Sequence, residues 1–302
     1  MNNAIEVVGL CYRVKSFEIH DLALTVPAGS VYGFLGPNGA GKTTTIQLLL
    51  GQRRAARGQM TVLGGSMPRD AARLLQRLGY VPERPHLYPG LTVTEGLRYH
   101  AAFYPRWDSQ RAAELLHRFS LEGDQRIGGL SKGETGKLMV LLALAQHPEL
   151  LVLDEPTDGL DPVVRRDVIA ALLDYVSSHS ATVFISSHLV HELERICDWV
   201  GLMDRGRLVA EMPMQRFKNG IKRLRVTGAP AAVEDTPFVL LSRESAGVGG
   251  AGEVWVVRGW QSPMQEYFTT MGAILREVVD LDLEEGFVEL LRTFRGLDSR
   301  EA

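Results

Sequence analysis

A strand, a glycine-rich turn and a helix follow one another at Ser30–Lys42, and this order constrains the fold more than any other feature. The short apolar stretch Ser30 to Leu35 runs straight into Gly36-Pro37-Asn38-Gly39-Ala40-Gly41-Lys42-Thr43, a full GxxxxGK[ST] pattern. Lys42 to Leu50 then reads as a helix with Ile46, Leu49 and Leu50 on its apolar side. Backbone N–H groups around Gly39 to Thr44 can converge on a phosphate there, helped by the positive end of the following helix. Glycine is needed where the backbone approaches the ligand and takes positive φ. Lys42 reaches β- and γ-phosphates, and the Thr43 hydroxyl is a ligand for Mg²⁺. Gly36, Asn38, Gly39, Gly41, Lys42, Thr43 and Thr44 are therefore the expected nucleotide-binding set, with ATP and Mg²⁺ as cofactors.

A second acidic feature belongs with this loop. Leu150 to Leu153 is wholly apolar, as in a strand buried inside a parallel sheet, and it ends in Asp154-Glu155. A carboxylate at the end of a buried strand is costly unless compensated. A Mg²⁺ ion near Asp154 supplies that compensation, and Glu155 is placed to polarise an attacking water.

The remaining pattern gives an α/β chain with an α+β appendix. Strands are expected at Ala4–Leu10, Phe17–Val26, Gln59–Leu63 and Leu78–Val81. The pattern turns helical from Thr94 to about Phe119, broken at Tyr104-Pro105-Arg106-Trp107-Asp108, with Asp108 or Ser109 as a cap. Further helices start after Ser131, at Asp161-Pro162 (to about Ser178) and at Leu189 (to Ile196). Strands Ala181–Ile185, Trp199–Met203 and Arg207–Glu211 complete the first part. After Phe217 come short strands at Arg223–Thr227, Phe238–Leu241, Val254–Val257 and Ile274–Val279. Gly247 to Gly252 reads as a flexible loop, Ser262-Pro263-Met264-Gln265 as a capping-box helix start, and Asp282 as the cap of a last helix through Phe294.

Composition excludes several classes. A chain of 302 residues that is 45% hydrophobic can bury one good-sized core and a small appendix. Its net charge of −3 gives no general affinity for nucleic acid. The longest apolar run, Leu138 to Ala145, is far short of the roughly 20 residues that cross a bilayer. No basic segment followed by an apolar one opens the sequence, so a secretory leader is not expected. Cys11 and Cys197 are far apart and read as buried, reduced thiols.

Between the phosphate loop and the acidic strand stands Leu130-Ser131-Lys132-Gly133-Glu134. Together with the motifs above, this stretch resembles the signature of ABC ATPases, which normally reads Leu-Ser-Gly-Gly-Gln. The resemblance runs from about Ala4 to Phe217. The Tyr104–Asp108 stretch is also similar to one in bacterial ABC-2-type exporter ATPases. The implied fold is a P-loop NTPase of ABC type: a mixed sheet core, an antiparallel β subdomain and a helical subdomain near 94–146. This occupies 1–217, and 218–302 forms a small accessory domain.

The resemblance implies further roles. Glu155 is the catalytic carboxylate and His188, after Ser186-Ser187, the switch histidine that holds the water in line. Thr157-Asp158-Gly159-Leu160-Asp161 is the D-loop, and Tyr12 the aromatic that stacks on adenine. Ser131 and Gly133 would contact the γ-phosphate held by a second subunit packed head to tail. A homodimer is the default, with a heterodimer open. Separate transmembrane permease subunits would dock on the helical subdomain, where Tyr99, Phe103, Tyr104 and Trp107 either form its core or meet the partner. The chain would then be cytoplasmic, on the inner face of the cell membrane. His20, His86, His100, His117, His147, His179 and His191 read as surface or packing residues.

Three positions depart from the pattern. Glu83 stands where the family keeps a Gln that touches metal and water; Glu still accepts from metal-bound water but cannot donate when ionised. Lys132 and Glu134 replace Gly and Gln. Lys132 either offsets the added acid at Glu83 or Glu134 or is neutral drift on a solvated loop. The expected function is ATP hydrolysis energising a bacterial ABC exporter. The alternative is a nucleotide-gated regulator with low turnover or a non-transport role. The appendix could brace a dimer, meet a partner or act as a sensor.

Overall fold

A computed structural model describes residues 2–233, 235–245 and 252–301. The chain divides into two compact units, Met1–Leu189 with Met203–Leu208, and Val190–Leu202 with Val209–Ala302.

In the first unit, β1 (Asn3–Val14) and β2 (Phe17–Pro27) form an antiparallel hairpin. β3 (Val31–Leu35) is buried along its whole length and leads through the glycine-rich loop into α1 (Lys42–Leu49). β4 (Arg57–Val62) and β5 (Gly65–Met67) extend the hairpin into a sheet of order β2-β1-β4-β5. α2 (Ala71–Leu75) precedes β6 (Leu78–Val81). Three helices come next: α3 (Val93–Ala101), α4 (Ser109–Arg118) and α5 (Lys132–Ala145). Then come β7 (Leu150–Asp154), α6 (Pro162–His179) and β8 (Thr182–Ser187). β6, β7, β8 and β3 pair in that order, all parallel. Burial on both faces explains why β3 and Leu150–Leu153 of β7 are apolar runs. The aromatic rings of Tyr32, Phe34 and Phe184 pack between β3 and β8, at centroid distances of 5.5 and 5.2 Å.

Helix ends obey the local chemistry. The Asp108 side chain accepts from the Arg111 N–H at 2.8 Å, so Asp108 rather than Ser109 caps α4. Asp161 accepts from Val163 and Val164 ahead of α6, with Pro162 at its first position. Residues Leu138 to Ala145 of α5 are all buried. Close approach of α5 to α6 relies on Gly133, whose added Cβ would lie 3.2 Å from Val164 Cγ2.

The second unit begins with α7 (Val190–Leu193), shorter than the expected Leu189–Ile196 helix. The strands β9 (Trp199–Asp204) and β10 (Arg207–Pro213) have residues in both units. Next are α8 (Met214–Gly220), β11 (Ile221–Thr227), β12 (Val239–Ser245) and β13 (Glu253–Arg258). α9 (Gln265–Thr270), β14 (Ile274–Asp280) and α10 (Leu283–Glu301) close the chain. The sheet has order β12-β13-β11-β14 with every pairing antiparallel. Its own core is built on Trp255 and Phe268, whose rings lie 5.5 Å apart, with Leu224, Val226, Val257 and Phe238. Arg243 covers Trp255 at 5.1 Å and makes a two-pronged contact with Glu253 at 2.7 and 2.8 Å.

Three expectations need correcting. Ser262 caps nothing: Ser262–Met264 is a 3₁₀ turn entered from Gln261, and neither it nor α9 has a side-chain cap. Pro263 fixes its own φ and carries no N–H, so the turn forms without a reciprocal box. Cys11 is only half-buried, its sulfur accepting from Arg57 Nε at 3.0 Å, whereas Cys197 is buried; both are free. The Asp282 cap does form, on the Glu285 N–H at 2.7 Å, but α10 runs beyond Phe294 to Glu301. The expected loop at 247–251 lies outside the described residues. Among the described residues no helix is long and apolar enough to cross a membrane.

Phe268→Ala empties the centre of the second unit's core. It should cost about 3–5 kcal/mol, read as an early transition in urea unfolding monitored by tryptophan fluorescence.

Candidate functional site

Parallel pairing brings three carboxyl ends side by side. Leu35 of β3 is opposite Ser187 of β8, and Asp154 of β7 is opposite Ser186 of β8. The residues just beyond these strand ends must converge in one crevice, the usual ligand position in open α/β sheets. The glycine-rich loop, Glu155 and His188 occupy those positions. They enclose a cavity of about 440 Å³ whose wall includes Asn38, Gly39, Gly41, Lys42, Thr43 and Thr44. Glu83, Glu155, Asp158 and His188 also belong to the wall. Gly36 is not in the wall. It sits at the strand end, where an added Cβ would stand 2.3 Å from the Met203 carbonyl oxygen.

The electrostatics of this crevice are unfinished. Asp154 is fully buried; its Oδ1 accepts from Ser186 Oγ at 2.7 Å and from Thr43 Oγ1 at 3.2 Å. Its Oδ2 is buried with no partner. Burial, and then the charges of Glu83 and Glu155, push this carboxyl above the usual carboxylate range, against those two hydrogen bonds. An orphaned carboxylate oxygen next to a threonine hydroxyl fits a hard divalent cation. No cluster of three or more His, Cys, Asp or Glu side chains could hold a metal among the described residues.

Lys42 is also turned inward. Its ammonium donates to the carbonyls of Gly36 at 2.6 Å and Pro37 at 3.3 Å. It lies 3.1 Å from Glu155 Oε1, too poorly directed for a hydrogen bond, so that oxygen has no hydrogen-bond partner. Glu155 adopts φ 50, a left-handed conformation that costs a glutamate energy. In exchange, its backbone N–H donates to Ser186 Oγ at 3.0 Å. Its Oε2 accepts from the His188 N–H at 3.2 Å and lies 2.9 Å from His188 Nδ1. Carboxylate, imidazole and ammonium thus line one wall, where a water can be held between a base and a phosphate.

Other singled-out residues fall in different places. Tyr12 is not in the cavity wall; its hydroxyl accepts from Arg53 Nη1 at 2.7 Å. Phe17, which no sequence motif marks, is in the wall, and an added Cβ on Gly41 would stand 2.6 Å from its Cζ. Only its position ahead of the loop hints at this. Ser131 and Gly133 lie outside the wall, at the start of α5. The Ser131 hydroxyl accepts from the Glu134 N–H at 3.2 Å, and Glu134 accepts from the Ser131 N–H at 2.8 Å. That second bond holds the Glu134 carboxyl below its usual range. Glu134 is thus engaged in a reciprocal capping box. On the helical subdomain, Tyr104 and Trp107 pack around His100, at 4.8 and 5.8 Å. His100 is tied to Gln146 and lowered to about 4 by burial. Tyr99 and Phe103 stay exposed and join Tyr88 in an edge-to-face row, 5.2 Å between successive rings.

Comparison with known proteins finds relatives of one family. Residues 19–158 match the ABC transporter family. The bacitracin transport ATP-binding protein BcrA of Bacillus licheniformis is 36% identical over 203 residues, 67% of this chain and 66% of its own length. A Nod factor export ATP-binding protein I of Burkholderia lata is 38% identical over 200 residues, covering 64% and 65%. The match thus spans slightly less than two thirds of these two relatives. The ABC transporter ATP-binding protein YhcH of Bacillus subtilis is 33% identical over 212 residues, covering 69% of this chain and 70% of the relative. Among solved structures, an ATP-binding subunit of an ABC transporter superposes with TM-score 0.65 at 27% identity, covering 72% and 92%. A nucleotide-free ATP-binding cassette, at 22% identity and TM-score 0.61, shares the fold over 70% of this chain and 92% of its own.

The placement of Phe17 can be tested against that of Tyr12. Stacking on a base is worth about 1–3 kcal/mol. Phe17→Ala should therefore weaken ATP binding by roughly 5- to 150-fold, measured by calorimetry, and Tyr12→Ala by clearly less. The reverse order would put the adenine on Tyr12.

Proposed function

The chain belongs to the ABC transporter family of ATP-binding proteins, and from this membership and the site's geometry we propose that it binds and hydrolyses ATP to energise a bacterial exporter. One observation carries the proposal: Lys42, Thr43, Glu155 and His188 line a single cavity, and the buried Asp154 carboxyl is hydrogen-bonded to Thr43. The names of the relatives, concerned with bacitracin transport and Nod factor export, favour an exporter.

In the proposed reaction, backbone N–H groups of the loop and α1 bind the phosphates. Lys42 leaves the Gly36 and Pro37 carbonyls to contact the β- and γ-phosphates, which frees Glu155. Thr43, Asp154 and Glu83 would hold Mg²⁺, which when bound would supply charge neutralisation at the phosphates. Glu155 orients the attacking water and takes up its proton, and His188 holds Glu155 in line.

Ser131 and Gly133 lie outside the cavity of their own chain, so we assign them to the nucleotide of a second subunit. A head-to-tail homodimer gives each site both halves. The exposed row Tyr88, Tyr99 and Phe103 is the proposed docking face for a transmembrane permease, which would hold the protein at the inner membrane surface and select the substrate. Residues 1–217 are the proposed ATPase, and 218–302 the accessory part.

Glu155→Gln should bind ATP with near-normal affinity, lose more than about 100-fold in turnover and accumulate as a dimer in size-exclusion chromatography with ATP. Turnover at the wild-type rate would remove Glu155 as the base. The low-turnover reading rests on Glu83, an added acid in the cavity wall. Glu83→Gln should change kcat by several-fold while leaving Kd for ATP within about twofold. An unchanged kcat would return Glu83 to neutral drift.

A further inference from the structure

Lys132 opens α5, a position where its charge opposes the positive end of the helix dipole. A cation there calls for a nearby anion, and the chain supplies one. The Lys132 ammonium lies 3.7 Å from Asp158 Oδ2. The ammonium lies over Gly159, at φ 63, where an added Cβ would stand 2.0 Å from it. The other Asp158 oxygen is 3.9 Å from His188 Nε2, and Asp158 itself lines the nucleotide cavity. On its far side His188 Nδ1 is 2.9 Å from Glu155, which is 3.1 Å from Lys42. Lys132, Asp158, His188, Glu155 and Lys42 therefore form one continuous polar chain from the start of α5 to the phosphate loop.

We propose that Lys132 is a positioning residue for hydrolysis, holding the Asp158 carboxylate so that His188 and, through it, Glu155 keep their orientation. This rests on the reading of Glu155 and His188 as the hydrolytic pair. The capping box between Ser131 and Glu134 fixes the backbone on both sides of Lys132. A shift of the α5 N-terminus is thereby transmitted to Asp158, whereas a lysine on a loose loop would absorb it. The Lys132 and Asp158 side chains are 65% and 47% exposed, so their ion pair adds little to stability. Its effect belongs in the rate.

The test is a double-mutant cycle with Lys132→Ala, Asp158→Ala and both together, read by steady-state ATPase kinetics with melting temperatures alongside. Each single variant should lower kcat by about two- to fivefold with KM and melting temperature little changed. The double variant should be no slower than the slower single one, because both remove the same contact. Lys132→Arg should restore most of the rate. Independent, multiplying losses, or a wild-type kcat in Lys132→Ala, would overturn the proposal. Glu155→Gln in the same assay separates the two claims. If it loses turnover while Lys132→Ala does not, only the positioning role fails. If it hydrolyses ATP normally, the hydrolytic reading fails and the positioning role with it.

Discussion

A fully buried carboxylate with one oxygen left unpartnered governs the organisation of the first unit. Asp154 lies at the end of a strand that is apolar throughout, and Ser186 and Thr43 satisfy only its Oδ1. Such a group is costly in an apolar interior unless something else arrives to neutralise it. Parallel pairing of β3, β7 and β8 places this carboxylate against Thr43, which lines the same crevice as Lys42 and His188. The unpartnered Oδ2 and the Thr43 hydroxyl beside Oδ1 are what the proposed cation site rests on.

Charged groups in the crevice are partnered within the chain. Lys42 is neutralised by the Gly36 and Pro37 carbonyls and by Glu155, the group proposed to act on water. Phosphate oxygens are better partners for an ammonium than neutral carbonyls. Their arrival would exchange one set of contacts for another and release Glu155 in the same step. The strained backbone of Glu155, tied through its N–H to Ser186 and through its side chain to His188, limits where that carboxylate can go.

Much of this is readable in the sequence because it is local. The strand, loop and helix at Ser30–Leu49, the acidic end of β7, and the Asp161-Pro162 and Asp282 helix starts each depend on neighbours a few residues away. The family resemblance adds His188, whose partner Glu155 is distant in the chain, and the roles proposed for Ser131 and Gly133. The features that escape are set by tertiary contact. Phe17 sits in a β hairpin like many other aromatics, and only the fold brings it against Gly41. Sequence pairs Lys132 with added acid at Glu83 or Glu134, yet Glu134 is engaged with Ser131, and Asp158 is the anion within reach. The strand β5 and helices α2 and α8 are so short that three to seven residues give no clear period. At Ser262 a valid capping pattern fails because Pro263 favours a tighter turn.

The most direct measurement is a crystal structure with Mg²⁺ and a non-hydrolysable ATP analogue. It should place the metal on Asp154 Oδ2 and Thr43 Oγ1, with Lys42 moved from the Gly36 carbonyl to the phosphates and Glu155 released toward the γ-phosphate. A metal bound elsewhere, or Lys42 still paired with Glu155 beside a bound nucleotide, would contradict the central claim that the unfinished charge at Asp154 is the site's reason for being.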